Sequence, residues 1–397
     1  MWRGSQTLRA ARLRRDVTTD VLVIGAGISG ALVAESLADA GLGVVIVDKR
    51  EPVSGATAAS TALLQYEIDV PMCRLSTQIG AERTLRLWRR SYLALMALRT
   101  RTARLGIRAG LRDCNSLYLE GDRLDARGLQ REAMLRREAG FELQWLSARD
   151  VRRTWGIVGR SGLLGFDSMS CNPRQLAVRY LRAAMRRRAA LYAHTEIRAV
   201  EPGRPVVAAT ADGRTIKSRH LVFATGYEMP IGVPRKGNRI CSTWAMATRS
   251  QPSWPTRCLI WEASDPYLYL RQGTRGRVIC GGEDENFDDA GRRDSLTPGK
   301  VRTLERKLHA LLPTLDPHAE LGWSASFGSS PTGTPTIGAV PGMAGCYAVL
   351  GYGGNGITFA AIAAQVMRSQ LTGERDVDAD LFSFHRRWPV LQRGHRH

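Results

Sequence analysis

Three glycines, Gly25, Gly27 and Gly30, follow directly on the short apolar run Asp20 to Ile24 (DVLVI) and precede the helical pattern ALVAESLADA, which stops at Gly41. Strand, tight glycine turn and helix in this order predict the opening of a parallel βαβ unit. Gly43 to Val47 supplies the second strand, and Asp48 ends it. Each glycine has its own reason to be there: Gly25 permits the tight turn, Gly27 lets backbone approach a pyrophosphate, and Gly30 lets helix pack closely on strand. Free N–H groups at the helix start, around Ile28 and Ser29, then face the phosphates with the positive end of the helix dipole behind them. Asp48 stands 23 positions after Gly25. A carboxylate there accepts hydrogen bonds from ribose hydroxyls and repels a 2′-phosphate, with Lys49 beside it. The unit predicts a dinucleotide site.

Two later segments choose the dinucleotide. Leu221 to Gly226 (LVFATG) is an apolar strand running into a small-residue turn, after a predicted hairpin at Ala211-Asp212-Gly213-Arg214. The strand Tyr347 to Leu350 leads into Gly351-Tyr352-Gly353-Gly354-Asn355-Gly356-Ile357-Thr358 and an Ala-rich helix. A glycine-rich turn at a helix N-terminus sets N–H donors against developing negative charge, which suits the pyrimidine edge of a reduced flavin.

Together these motifs resemble the D-amino-acid oxidase, glycine oxidase and sarcosine oxidase family of FAD-dependent oxidoreductases, over nearly the whole chain. Supporting segments are GATAASTALL (Gly55 to Leu64), Asn172-Pro173 at a helix entry, Thr195-Glu196-Ile197, STWAMAT (Ser242 to Thr248), PYLYLR (Pro266 to Arg271), ICGGEDE (Ile279 to Glu285) and PTIG (Pro335 to Gly338). The resemblance implies an α/β chain (α+β overall), with a Rossmann-like FAD-binding domain and an inserted substrate domain built on an antiparallel sheet. It implies FAD segments at 1–75, 146–236 and 320–397, and substrate-domain segments at 76–145 and 237–319. Residues 74–105 read as one long arginine-rich helix, and 237–283 as alternating strand-like runs.

The resemblance also places residues. Besides the opening unit, Thr57, Ala59, Ser60, Thr61 and Leu63 would wrap the pyrophosphate and pass the flavin, and Ile197 would meet the adenine. Ala224, Thr225 and Gly226 would help to enclose the dinucleotide, and Gly353, Gly354, Asn355, Gly356, Ile357 and Thr358 would approach the flavin. Relatives with covalent flavin use a His at the place of Ala59 or a Cys near Phe327 to Ser329; this chain has neither, which predicts non-covalent FAD. Amino-acid oxidases of the family often clamp the substrate carboxylate with an Arg where Phe327 or a near neighbour stands, and Arg271 is the alternative clamp. Sarcosine oxidase-like members carry a Lys where Thr358 stands, so oxygen and a carrier protein both stay open as electron acceptor.

Tyr66, Glu67, Tyr267, Tyr269 and Tyr352 complete the substrate candidates: phenols and a carboxylate beside a flavin hold an amine cation by hydrogen bonding and cation–π contact. The implied reaction is hydride transfer from the C–H next to nitrogen, giving an imine that hydrolyses. A flavin accepts the hydride itself, so no catalytic triad is expected, and the seven histidines are assigned to surface or core.

Composition bounds the alternatives. With 44% hydrophobic and 24% charged residues the chain reads as an ordinary globular protein, and no stretch approaches the roughly 20 apolar residues of a membrane helix. Lys and Arg number 57 against 37 acids, a formal charge of +20. The arginines are spread over predicted helix faces without interleaved aromatics, which favours a solvated surface over a nucleic-acid interface. Two alternatives stay open: a flavoenzyme acting on a modified nucleoside in RNA, and the flavin subunit of a hetero-oligomeric dehydrogenase. Residues 1–16 read as a basic, frayed tail without the apolar core of a secretory signal. Seven scattered cysteines with no C-x-x-C pair suggest no metal or redox disulfide and a reducing cytoplasm.

Overall fold

The computed structural model describes residues 8–230, 232–235, 237–251 and 258–386. At its centre the strand Val17–Ile24 runs parallel to Thr215–Phe223 on one side and to Val44–Val47 on the other, Leu22 lying opposite Leu221 and Val45. Val44–Val47 is buried throughout, as a parallel strand covered on both faces must be. Across this sheet the order is Thr336–Ala339, Cys346–Leu350, Thr215–Phe223, Val17–Ile24, Val44–Val47, Ala190–Tyr192, and the hairpin Ile197–Glu201 with Val206–Thr210 joins through Thr215–Phe223. Alternation divides the residues: Val21 and Val23 pack with the helix Ile28–Asp39 and its neighbours, whereas Leu22 packs with Val206, Ala208 and Ile216. Ile28–Asp39 lies against the helices Pro173–Arg186 and Gly356–Thr372. Asn172 caps the former by accepting from the Gln175 N–H at 3.0 Å, with Pro173 in the first turn.

The second sheet runs Ala319–Ser329, Arg239–Ser250, Arg277–Glu285, Leu268–Gln272, Cys258–Glu262, Arg112–Leu119, Gly162–Ser170, Leu63–Leu64, with Leu143–Leu146 also on Gly162–Ser170. It is antiparallel as expected, except that Cys258–Glu262 runs parallel to Arg112–Leu119. One apolar cluster reaches from Val21 and Leu32 through Leu64, Tyr66 and Trp88 to Tyr118 and Phe141. The two layers therefore share a core.

Three expectations need correction. Residues 8–16 are not frayed: Leu13 is buried, its N–H donates to Thr195 Oγ1 at 3.2 Å, and Arg12 pairs with Asp212 at 2.6 Å. Residues 1–7 lie outside the described residues. The helix read over 74–105 is two helices, Met72–Ile79 and Ala81–Arg104, because Gly80 at φ +89° turns the chain. Finally, boundaries at 146 and 320 cut through the second sheet, which includes Leu143–Leu146, Gly162–Ser170 and Ala319–Ser329.

Candidate active site

A cavity of about 1180 Å³ opens between the C-terminal ends of the parallel strands and the antiparallel sheet, where open α/β sheets place their ligands. The glycine turn forms one wall. Gly25 sits at φ +111°, and a Cβ there would run into the Ala224 carbonyl; a Cβ on Gly30 would run into the Gly25 carbonyl. Strand, turn and ATG segment thus approach to backbone distance, leaving Ile28 and Ser29 at the helix start facing the cavity. Thr57 Oγ1 accepts from the Ile28 N–H at 2.9 Å.

Asp48 ends its strand with its carboxylate turned back, accepting from the Ala26 N–H at 2.8 Å and from the Arg50 N–H at 2.9 Å. Its carbonyl accepts from Thr195 N at 2.8 Å, which brings Thr195, Glu196 and Ile197 to the same end of the cavity. Glu228, just past the Ala224-Thr225-Gly226 turn, closes that end by pairing with Lys49 at 2.5 Å and Arg50 at 2.8 Å.

The segment from Gly55 is held from outside the cavity. Trp323 donates to the Ala59 carbonyl at 2.9 Å. Arg271 donates from Nε to Thr61 O at 2.5 Å, from Nη1 to Gln272 O at 2.9 Å and from Nη2 to Cys171 O at 3.3 Å. The C-terminal glycine turn docks on the continuation of the same segment: Thr358 Oγ1 donates to Gln65 O at 2.8 Å, Asn355 Nδ2 to Glu67 O, and Gly354 N to Asp69 Oδ2 at 2.8 Å.

Most residues anticipated for the cofactor line this cavity: Gly25, Gly27, Ile28, Ser29, Asp48, Lys49, Thr57, Ala59, Ser60, Thr61, Leu63, Ile197, Ala224, Thr225, Gly226, Gly353, Gly354, Asn355, Gly356 and Ile357. Gly30 and Thr358 do not; one is spent on helix packing and the other on the Gln65 carbonyl. Of the substrate candidates, Tyr267, Tyr269, Phe327 and Tyr352 line it.

Tyr66, Glu67 and Arg271 are placed elsewhere. Tyr66 is 2% exposed inside an aromatic cluster, its ring centroid 5.2 Å from Tyr92 and 5.3 Å from Phe141. Glu67 is buried beside the Arg136 charge; burial, outweighing that charge, pushes its carboxyl up. Arg271 is 4% exposed, and burial lowers its pKa to about 10. It braces the Gly55 segment and does not line the cavity.

The sequence reading missed Gln65, Asp69, Tyr227, Thr243 and Trp261, all of which line the cavity. Thr243 lay within STWAMAT, one of the strand-like runs, where period-two alternation marks a face; Asp69, in a loop, carried no signal. Asp69 lies on the cavity wall with its carboxylate exposed to the cavity. The neighbouring cavity walls desolvate it in part; with the Gly354 N–H opposing and the Asp284 charge added, its pKa rises to about 6. Tyr267 donates to Asp284 Oδ2 at 2.9 Å and its ring stands 5.8 Å from that of Tyr269. Burial pushes both phenols and the Asp284 carboxyl up.

A glycine turn at a helix start, an acid at the second strand end and a second glycine turn across a long cavity define a dinucleotide-binding protein. These residues fit FAD: the first turn suits its pyrophosphate, Asp48 its ribose, and the Gly353-Gly354 turn its flavin. The chain belongs to the family of FAD-dependent oxidoreductases, whose model (DAO) matches residues 20–370. It is 23% identical over 384 residues to a glycine oxidase of Geobacillus kaustophilus (strain HTA426), an alignment covering 92% of this chain and 96% of that protein. The crystal structure of glycine oxidase from Geobacillus kaustophilus superposes with a TM-score of 0.78 at 20% identity, covering 93% and 99% of the two chains. That of L-proline dehydrogenase from P. horikoshii gives 0.77 at 16%, covering 94% and 97%. Both structures share the fold.

Proposed function

We propose that this FAD-dependent oxidoreductase oxidises an amine or amino acid at the carbon next to nitrogen. The observation that carries the reading is the end of the cavity where the Gly353-Gly354 turn meets Asp69, Tyr267 and Tyr269. It offers carboxylate and phenol to a protonated nitrogen. The relatives named for glycine and L-proline chemistry support the same reading.

When bound, FAD supplies the two-electron acceptor: hydride leaves the substrate carbon, a proton leaves nitrogen, and water hydrolyses the resulting imine. The chain's own residues bind and orient. Asp69 and Tyr267 hold the nitrogen, while Trp261, Tyr269 and Phe327 exclude water from the reacting carbon. Among the described residues the cavity lining contains neither His nor Cys, which supports FAD held without a covalent bond.

The test is anaerobic spectrophotometry of the yellow holoenzyme against amines and amino acids. One substrate class should bleach the flavin, and acid precipitation should release all of it into the supernatant. A flavin that no amine or amino acid bleaches would overturn the proposal.

A further inference from the structure

Charge is divided between the two ends of the cavity. At the adenosine end the cations are matched: Lys49 and Arg50 share Glu228, and Arg198 pairs with Glu196 at 3.0 Å. At the substrate end the balance among the described residues is negative. Asp69 faces the cavity, Asp284 stands behind the Tyr267 hydroxyl, and Asp288 lines the wall. Arg293 is already engaged, its Nη1 donating to Ser326 Oγ at 3.0 Å and lying 3.7 Å from Asp288. Arg271 is committed to three main-chain carbonyls. Among the described residues the remaining lining cation, Arg235, is exposed on the loop after Gly226.

We propose that this end of the cavity selects amines that carry no carboxylate, the substrate ammonium being held by Asp69 together with the Tyr267–Asp284 pair. The inference rests on the function proposed above and names its substrate class. Cavity walls of low dielectric focus the field of these carboxylates, which attracts an ammonium and repels a carboxylate. The close Tyr267 and Tyr269 rings add faces for cation–π contact. Asp69 is the charge most open to adjustment, facing the Gly354 N–H and coupled to Asp284, with Tyr227 and Tyr267 within the same field.

The test separates binding from turnover. Holoenzyme is titrated with benzyltrimethylammonium, a quaternary cation, and in parallel with benzoate, following oxidised-flavin absorption. The cation should bind, more tightly as pH rises through about 6, and benzoate should not. Asp69→Asn keeps an acceptor for the Gly354 N–H and removes the charge; it should weaken the cation about tenfold or more while retaining FAD at full stoichiometry. Tyr267→Phe should weaken it in the same direction, which keeps the test alive if Asp69→Asn loses FAD. Tight benzoate binding that Arg235→Ala abolishes would overturn the inference. So would bleaching by phenylglycine but not by benzylamine, although that result would leave the broader function standing. If neither bleaches the flavin, the wider amine and amino-acid panel decides the broader function, and the titration still decides which charge this cavity accepts.

Discussion

Glu67 turns inward to the charge of Arg136, whereas Asp69, two residues on, turns outward and accepts the Gly354 N–H. Composition cannot separate such neighbours, because the chain leaves Leu63–Leu64 for a loop in which no fixed period tells inside from outside. Asp48 differs: a strand end after a glycine turn has one geometry, so its place was legible. Its carboxylate holds the Ala26 and Arg50 N–H groups. Asp48→Ala would therefore lose both the ribose acceptor and the order of the turn. Equilibrium dialysis should show FAD binding weakened by about 10- to 100-fold, with the circular dichroism of the fold retained; unchanged affinity would remove Asp48 from the cofactor site.

At the scale of elements, strands and helices with clear periodicity were legible: the opening βαβ unit, the hairpin around Gly213, the helix entry at Asn172-Pro173 and the C-terminal strand and helix. The missed features were tertiary. Arg271 ends a strand-like run in the sequence, and only the fold reveals that it joins its own strand, at Gln272, to Thr61 and Cys171 in distant parts of the chain. Arg271→Leu would leave those buried carbonyls unsatisfied, costing about 2–4 kcal/mol in urea denaturation and loosening FAD without changing the substrate class.

Asp39, at the end of the helix Ile28–Asp39, is a second tertiary junction, meeting Arg101 at 2.7 Å and Arg368 at 3.0 Å from two other helices and Arg187 at 2.9 Å just past the end of a third. Burial alone would raise its pKa, but hydrogen bonds from Arg101 and Arg368 and the charges of Arg101 and Arg187 outweigh it, giving about 2. A carboxyl lowered in the folded state stabilises above its ordinary pKa and loses that contribution as pH falls. Asp39→Asn should therefore be less stable at pH 7 and show a smaller loss of stability between about pH 4 and 2 in thermal unfolding. A parent and variant that lose stability in parallel would contradict this.

Over the whole molecule, the cofactor wall is assembled from residues near 25, 57, 197, 225 and 354. FAD bound there would bridge parts of the chain far apart in sequence, and a ligand that binds only the folded state stabilises it by mass action, by about 2.7 kcal/mol at a hundredfold excess over Kd. Stripping FAD should lower the melting temperature by several degrees, and adding it back should restore the value; equal melting points would mean that the cavity does not form the binding site. The net charge of +20 was legible from composition, but its use in arginine links between helices, as at Asp39, was not.

The order of strands also bears on how the chain is made. Cys346–Leu350 lies inside its sheet, between Thr336–Ala339 and Thr215–Phe223. While a ribosome is still short of that point, Thr215–Phe223 has the first strand on one flank and an open row of N–H and C=O groups on the other, beside its hairpin contact. A nascent chain in that state carries an unprotected edge, the kind that other chains can pair with. Chains stopped before residue 346 should accordingly collect in inclusion bodies, because the strand that covers this edge is made only after the rest of its sheet.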